Sequence, residues 1–241
     1  MERPRFEGPA TSGEAGKYAK AVGWFALLGV PILIAGFAVN PGPPLGDTTG
    51  QLVAYGLNHR SALTVGGWLQ VTGTVLTVVF ALAVVVIARR TASLAGVLVL
   101  LGSAILIAIG LSELTVYKAL ATGHASTVRV AADLLPGVQL GYSIVAAPLV
   151  FGALGCLVLQ ARILPAIFGY LAVGFALVFW VCGLITVVTS IQGFIDVLSG
   201  VQAVWWIGAG VFVVVRGLML QGVDPPLGSS TAQGAETVPP G

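Results

Sequence analysis

The hydrophobic pattern of the chain consists of long apolar stretches separated by short polar segments. Two of these stretches, residues 62–88 and 94–111, carry no charged residue and follow each other directly. Each is close to the length of about 20 residues with which a helix crosses a bilayer core. Arg89 and Arg90 lie between them, and paired arginines belong in water or among head groups, so the chain must turn there. This hairpin predicts a polytopic membrane protein.

The same pattern recurs along the chain and predicts an all-α membrane protein, a six-transmembrane-helix bundle. The transmembrane domain covers residues 20–217. The tails, residues 1–19 and 218–241, are polar and rich in Pro, Gly and Ser, and we expect them to be disordered. The predicted spans are residues 21–39, 62–88, 94–117, 138–159, 163–188 and 197–215.

The polar connections carry local structural signals. Thr48 and Gln51 have the spacing of a capping box, which predicts a short interfacial helix that ends near residues 58–60. A longer polar connection precedes the fourth span, and we expect it to be partly helical and to end at Pro136-Gly137. A tight turn is predicted at residues 160–162, between the fourth and fifth spans.

The composition supports a membrane environment. Hydrophobic residues make up 57% of the chain and charged residues 8%, whereas soluble domains hold about 25% charged residues. The bilayer must therefore solvate most of the surface. The net charge of +2 gives no reason to expect a nucleic-acid partner. Cys156 and Cys182 both lie in apolar stretches, which excludes a disulfide framework and a cysteine-based zinc site.

Basic residues are distributed unequally between the two sides of the predicted bundle. Eight lie on the side of the termini and the short turns, and three lie on the side of the long loops. Since cytoplasmic loops carry the excess of lysine and arginine, both termini are predicted to be cytoplasmic. A composition rich in Gly, Ala and Val with few lysines is compatible with a bacterial genome, so the predicted location is the plasma (inner) membrane. The three basic residues of the long loops are Arg60, Lys118 and Arg129.

Glu113 is the most informative ionisable residue, because it lies about four residues inside the end of the third predicted span. A carboxylate inside a membrane is costly and needs a partner or water. One interpretation is an outward-facing polar site formed by Glu113, Arg60, Asp196 and Arg129. The other interpretation is structural: the carboxylate reaches the interface, or an ion pair with Arg60 or Lys118 holds two helices together.

Other polar and aromatic residues of the spans indicate packing. Gln70 and Gln202 are expected to bond to neighbouring helices. Tyr117 and Tyr142 are predicted to belong to an aromatic belt at the outer interface.

The sixth span contains Trp205 and Trp206, and we expect one ring to contact lipid and the other to enter the bundle. Gly137 and Gly141 have the spacing of a helix-contact motif. No metal or cofactor is predicted, since both histidines of the chain lie in loops and no second ligand has helical spacing to either.

Three short motifs lie at the ends of predicted spans: Ala88-Arg89-Arg90, Arg162-Ile163-Leu164-Pro165, and Trp205-Trp206-Ile207-Gly208 ahead of Arg216. Together with the order of the spans over about residues 20–216, they resemble the small six-span bacterial integral membrane proteins of uncharacterised (domain-of-unknown-function) families. The resemblance implies the six-span fold. Such families have no agreed activity, so no functional residue follows from it.

The sequence contains no recognisable catalytic motif, such as a Gly-Lys-Ser/Thr phosphate loop or a His-Glu-x-x-His metal site, which favours a non-enzymatic role. We expect the protein to bind a lipid-like ligand or a partner within the lipid bilayer, either another membrane protein or a second copy of the chain. A small-solute or lipid transporter is an alternative that discontinuous helices would support, and we identify no predicted span with a proline at its centre. A membrane enzyme that uses Glu113 as an acid or base is a further alternative.

Overall fold

The structure, a computed structural model, describes residues 12–40, 42–43, 48–88, 93–188 and 192–221, with side chains for residues 17–40, 42–43, 48–88, 93–188 and 197–219. The described residues are helical apart from short connections. Six helical segments are long and apolar enough to cross a membrane. The prediction of an all-α, six-span membrane protein is thereby confirmed, whereas Arg89, Arg90 and residues 1–11 and 222–241 of the tails lie outside the described residues.

Eight α-helices and one π-helical turn follow each other in the described part of the chain. The first helix begins at Ser12, within the predicted amino-terminal tail, and the last extends to Gln221. The helices are α1 (Ser12–Val39), α2 (Thr49–Asn58), α3 (Arg60–Ile87), α4 (Leu94–Leu120), α5 (Ala125–Gly141), α6 (Ala147–Ala161), α7 (Ala166–Val188) and α8 (Gln192–Gln221), and the π-helical turn is Tyr142–Ala146.

The helix α1 packs between α3 and α8, and glycines allow the close approach to α3. A Cβ atom at Gly73 would lie 2.5 Å from the backbone nitrogen of Leu33 and 2.6 Å from the carbonyl oxygen of Gly29. A Cβ atom at Gly36 would lie 2.9 Å from the carbonyl oxygen of Gly66. Lipid is as apolar as leucine, so helices in a bilayer associate through such close backbone contacts.

Glycines also set two further helix contacts. A Cβ atom at Gly23 of α1 would lie 2.8 Å from the carbonyl oxygen of Gly210 of α8. A Cβ atom at Gly155 of α6 would lie 2.8 Å from the carbonyl oxygen of Gly169 of α7. The predicted motif at Gly137 and Gly141 makes no such contact, because a Cβ atom at Gly137 would meet nothing within 4 Å. The spacing alone does not show which face of a helix meets a neighbour.

Aromatic side chains fill the core between α6, α7 and α8. The ring of Phe151 lies 5.4 Å from that of Trp205 and 5.3 Å from that of Trp206, centre to centre. Trp205 also donates a hydrogen bond from Nε1 to the carbonyl oxygen of Phe168, at 2.9 Å. Both tryptophans are buried, with exposed fractions of 4% and 6%. The expectation that one ring contacts lipid is wrong, because both rings find aromatic partners inside the bundle.

One end of the bundle is covered by α2 and the first part of α5, which we call the cap. The predicted capping box is confirmed: Gln51 N donates to Thr48 Oγ1, and Thr48 N donates to Gln51 Oε1 at 2.8 Å. The Tyr55 hydroxyl donates to the carbonyl oxygen of Gly42 at 2.7 Å. Burial raises the pKa of Tyr55, so the hydroxyl keeps this proton. The apolar side chains beneath the cap include Leu52, Leu63, Val116, Tyr117, Leu120, Val128 and Leu135.

The fourth span differs most from its prediction. It belongs to one helical run, Ala125–Ala161, of 37 residues, and Pro136 lies inside α5 and does not end it. The π-helical turn Tyr142–Ala146 interrupts the α-helical pattern of this run. Pro31 likewise lies inside α1. The prediction that no span has a proline at its centre is therefore wrong for the first span, although α1 continues through Pro31, and the fourth span contains the π-helical turn.

The replacement Gly73→Ala tests whether the contact between α1 and α3 limits stability. The added methyl group would force backbone atoms apart, and overpacking of this kind costs about 1–3 kcal/mol. We expect a lower midpoint of thermal unfolding, measured by size-exclusion chromatography in a neutral detergent. Gly174→Ala is the control, because its Cβ atom would meet nothing within 4 Å. Equal midpoints for the two variants would contradict the assignment.

Candidate functional site

A group of polar side chains from four helices and the π-helical turn lies inside the bundle near the cap. The Tyr142 hydroxyl donates to Gln202 Oε1 at 2.6 Å. The Tyr117 hydroxyl lies beside the amides of Gln70 and Gln139. The carboxylate of Glu113 interacts electrostatically with both tyrosine hydroxyls. We call these residues the polar cluster: Gln70 of α3, Glu113 and Tyr117 of α4, Gln139 of α5, Tyr142 of the π-helical turn and Gln202 of α8.

Helix geometry places Glu113 beside Tyr117, and close contacts at glycines position Tyr117 and Gln70. Glu113 and Tyr117 are four residues apart in α4, so their side chains lie on one face. The Tyr117 ring packs against α3, where a Cβ atom at Gly67 would lie 3.0 Å from Tyr117 Cδ2. On the other side of α3, a Cβ atom at Gly36 would lie 2.8 Å from Gln70 Cγ. The polar cluster is therefore closely packed between helix backbones.

The π-helical turn positions Tyr142. A π-helical turn contains an extra residue relative to an α-helix, which changes the direction of the side chains around it, and such turns are frequent at functional sites. Here the Tyr142 ring packs edge-on against Phe179, at 5.5 Å between centres, while its hydroxyl reaches Gln202. The following residue, Ser143, is fully buried. The turn thus directs two consecutive polar side chains into the protein.

The amide of Gln70 has no hydrogen-bonding partner. Its side chain is 3% exposed, and although it lies near Tyr117, neither Nε2 nor Oε1 reaches a partner with hydrogen-bonding geometry. A buried polar group without a partner costs about 1–3 kcal/mol. Among the residues that the structure describes, Asn40, Ser103 and Ser143 are the other buried side chains with an unpartnered atom. Gln70 is the member of this set that belongs to the polar cluster.

The depth of Glu113 places the polar cluster near one boundary of the hydrocarbon. At 1.5 Å per residue, Glu113 lies about 28 Å from Leu94 and about 10 Å from Leu120 along α4. A hydrocarbon core of about 30 Å that starts at Leu94 therefore ends close to Glu113. With that placement, the polar cluster would lie at the level of lipid head groups, beneath the cap.

The predicted partners of Glu113 have other environments. Arg60 is exposed at the start of α3. Arg129 is exposed on α5 and pairs with Asp133, with 2.9 Å between Nη2 and Oδ1. The side chain of Asp196 lies outside the described residues. Among the side chains that the structure describes, no ion pair joins Glu113 to an arginine or lysine. Glu113 instead interacts electrostatically with the hydroxyls of Tyr117 and Tyr142 in the polar cluster.

Several members of the polar cluster have roles that differ from their predicted ones. Tyr117 is buried, with an exposed fraction of 1%, and the Tyr142 hydroxyl bonds inside the bundle, so neither belongs to an aromatic belt. The hydrogen bond of Gln202 confirms the prediction that this residue bonds to a neighbouring helix. The four-residue spacing of Glu113 and Tyr117 is the sequence signal that associates them. No sequence signal marks the π-helical turn that positions Tyr142.

The described residues offer no metal site, and the open groove of the structure lies away from the polar cluster. No three His, Cys, Asp or Glu side chains of the described residues are close enough together to hold a metal ion. An open groove of about 420 Å³ between α4 and α5 is lined by residues including Thr115, Ser126 and Thr127, and it contains no member of the polar cluster. A ligand at the polar cluster would therefore have to move packed side chains or the cap.

Comparison with protein families, curated proteins and solved structures finds no match for this chain. The resemblance to six-span families of uncharacterised function thus stays a prediction. The function proposed below is therefore inferred from the polar cluster.

The replacement Tyr142→Phe tests the hydrogen bond that joins the π-helical turn to α8. It leaves Gln202 Oε1 buried without its donor, and we expect a loss of about 1–2 kcal/mol in stability. Thermal unfolding in a neutral detergent measures the effect. Tyr170→Phe is the matched control, because Tyr170 is 66% exposed. If both variants unfold at the wild-type temperature, the hydrogen bond does not contribute to stability.

Proposed function

We propose that this protein is a non-enzymatic membrane protein that binds a lipid-like, amphiphilic ligand, whose polar head group enters the polar cluster. The observation that carries the proposal is the buried amide of Gln70, in which neither polar atom has a hydrogen-bonding partner. A hydrogen-bond donor on the head group would satisfy Oε1, and a head group that also carries an acceptor would satisfy Nε2. The free energy that the folded protein loses at Gln70 would then be recovered on binding.

The depth of the polar cluster supports an amphiphile over a fully water-soluble ligand. With a hydrocarbon core that starts at Leu94, Glu113 is close to the level where head groups begin, so a lipid in the same leaflet would carry its polar group at this height. Exposed apolar side chains near it include Leu111 of α4. The acyl chain of a bound amphiphile would stay in the hydrocarbon while only its head group enters the protein.

A transporter is the second candidate function, and the irregular helices favour it. Interrupted helices line the substrate sites of many transporters, and here Pro31 lies inside α1 and the π-helical turn lies beside the polar cluster. Reconstitution into vesicles tests this function. Faster movement of head-group-labelled lipid between leaflets than in protein-free vesicles would favour transport over binding alone.

We further propose that both termini are cytoplasmic, so that the cap and the polar cluster face outward. The argument is the excess of lysine and arginine on the side of the termini. A reporter fused after Gly241 tests it in cells. We expect a fluorescent protein to be active and an alkaline phosphatase to be inactive there. The reverse pattern would place the polar cluster in the cytoplasmic leaflet.

The replacement Gln70→Met tests the proposed ligand. It removes the unpartnered amide at similar volume, so we expect the ligand-free protein to become more stable by about 1 kcal/mol. We also expect the variant to lose a stoichiometric amphiphile that wild-type protein retains in native mass spectrometry after gentle extraction. Gln160→Met, at an exposed position, is the control and should retain it.

Two results would contradict the proposed function. One is a Gln70→Met variant that retains the same amphiphile as the wild type. The other is a wild-type protein that carries no amphiphile but a polypeptide at a fixed ratio, which would favour a partner protein or a homo-oligomer instead.

A further inference from the structure

We propose that the head group recognised by the polar cluster is a primary ammonium group. This inference rests on the proposed function and adds the chemical class of the ligand. It follows from the charge of Glu113, from the hydrogen-bonding directions around it and from the positions of the basic residues.

Glu113 supplies the one carboxyl group of the polar cluster. Its other members are tyrosines and glutamines, and no described lysine or arginine forms an ion pair with Glu113. An ionised carboxylate at the edge of the hydrocarbon is costly unless an opposite charge accompanies it. A ligand that carries a positive charge supplies that charge. An anionic head group would be repelled by Glu113 and would find no cationic side chain in the polar cluster.

The hydrogen-bond acceptors fit an ammonium group with N–H donors. The Tyr142 hydroxyl gives its proton to Gln202 Oε1, so its oxygen is left as an acceptor. The Gln70 Oε1 atom is an acceptor without a partner. With the carboxylate of Glu113, three residues offer acceptors, and a primary ammonium group has three donors. The aromatic rings of Tyr117 and Tyr142 add a favourable environment for a cation.

The basic residues near the cap do not pair with the carboxyl group of Glu113, so a cationic ligand can interact with it. Arg129 is held by Asp133 on the exposed face of α5, and Arg60 and Lys118 are exposed to solvent. These basic residues lie outside the polar cluster, where the negatively charged part of a bound zwitterionic lipid would also lie. Two sources of the same chemistry therefore fit, a zwitterionic lipid with an ammonium end and a free long-chain amine.

Binding of matched single-chain probes tests the proposal on the full-length protein in a neutral maltoside detergent. The probes are dodecylammonium, dodecyltrimethylammonium, dodecanol and a lysophosphatidylethanolamine of the same chain length, and isothermal titration calorimetry measures their affinities. We expect dodecylammonium to bind more tightly than dodecanol and than the trimethyl compound, which has the charge but no N–H donor. Tighter binding of the lysolipid than of dodecylammonium would identify the zwitterionic source, and the opposite order would identify the amine.

The replacement Glu113→Gln removes the charge at constant shape. We expect it to weaken dodecylammonium binding about 10- to 100-fold, which is the range for hydrogen bonds to charged groups, and to leave dodecanol unchanged. Asp133→Asn is the control, because it removes an exposed carboxylate near the cap and should change neither affinity. Partitioning of each probe into micelles is common to all variants and cancels in the comparison.

A second variant keeps the proposal testable if Glu113→Gln folds poorly. Tyr142→Phe removes one acceptor, and we expect it to reduce the preference for dodecylammonium over the trimethyl compound. Equal affinities for dodecanol and dodecylammonium, unchanged in either variant, would overturn the ammonium assignment and leave amphiphile binding intact. Absence of binding by every probe, together with a Gln70→Met variant that retains its native amphiphile, would overturn the proposed function as well.

Discussion

The close approach of α1 to its two neighbours is the contact on which the rest of this bundle depends. A bilayer offers no hydrophobic driving force between helices, so association relies on backbone contact and van der Waals packing. The glycines on α1 and on the facing surfaces of α3 and α8 meet this requirement, with positions at which a single Cβ atom would lie within 3 Å of backbone atoms. The positions of α3 and α8 then determine where Gln70 and Gln202 lie.

The same close packing explains why polar groups in the polar cluster are isolated. Gly36 brings α1 against Gln70, and Gly67 brings Tyr117 against α3. Helix atoms and not bulk water therefore surround the amide and the hydroxyl, and a head group reaches them only when packed side chains or the cap move. In hydrocarbon, a polar group without such solvation is satisfied only by another polar group. Tight packing and buried polarity are thus two results of one arrangement, and the head group that we propose as a ligand would satisfy the buried polar groups.

The sequence predicts the helices of this protein much better than their contacts. Length and apolarity determine the spans, and the Thr48 capping box marks the start of α2, because these signals are local. The burial of Tyr117 could not be predicted, since a tyrosine near a span end is equally typical of an interface. The position of Glu113 inside a predicted span marks it as a residue that needs an explanation. Arg60 and Arg129, the arginines expected as partners by charge, are exposed. Glu113 instead interacts with Tyr117, one turn away on α4, and with Tyr142 of the π-helical turn.

The π-helical turn has a mechanical consequence for the cap. One residue corresponds to about 100° of rotation in an α-helix, so changing Tyr142–Ala146 into regular α-helix would swing α5 about its axis relative to α6. That rotation would carry Tyr142 away from Gln202 and would turn the half of α5 that belongs to the cap. In such a change, the position of one tyrosine inside the bundle and the orientation of the covering helix would be coupled.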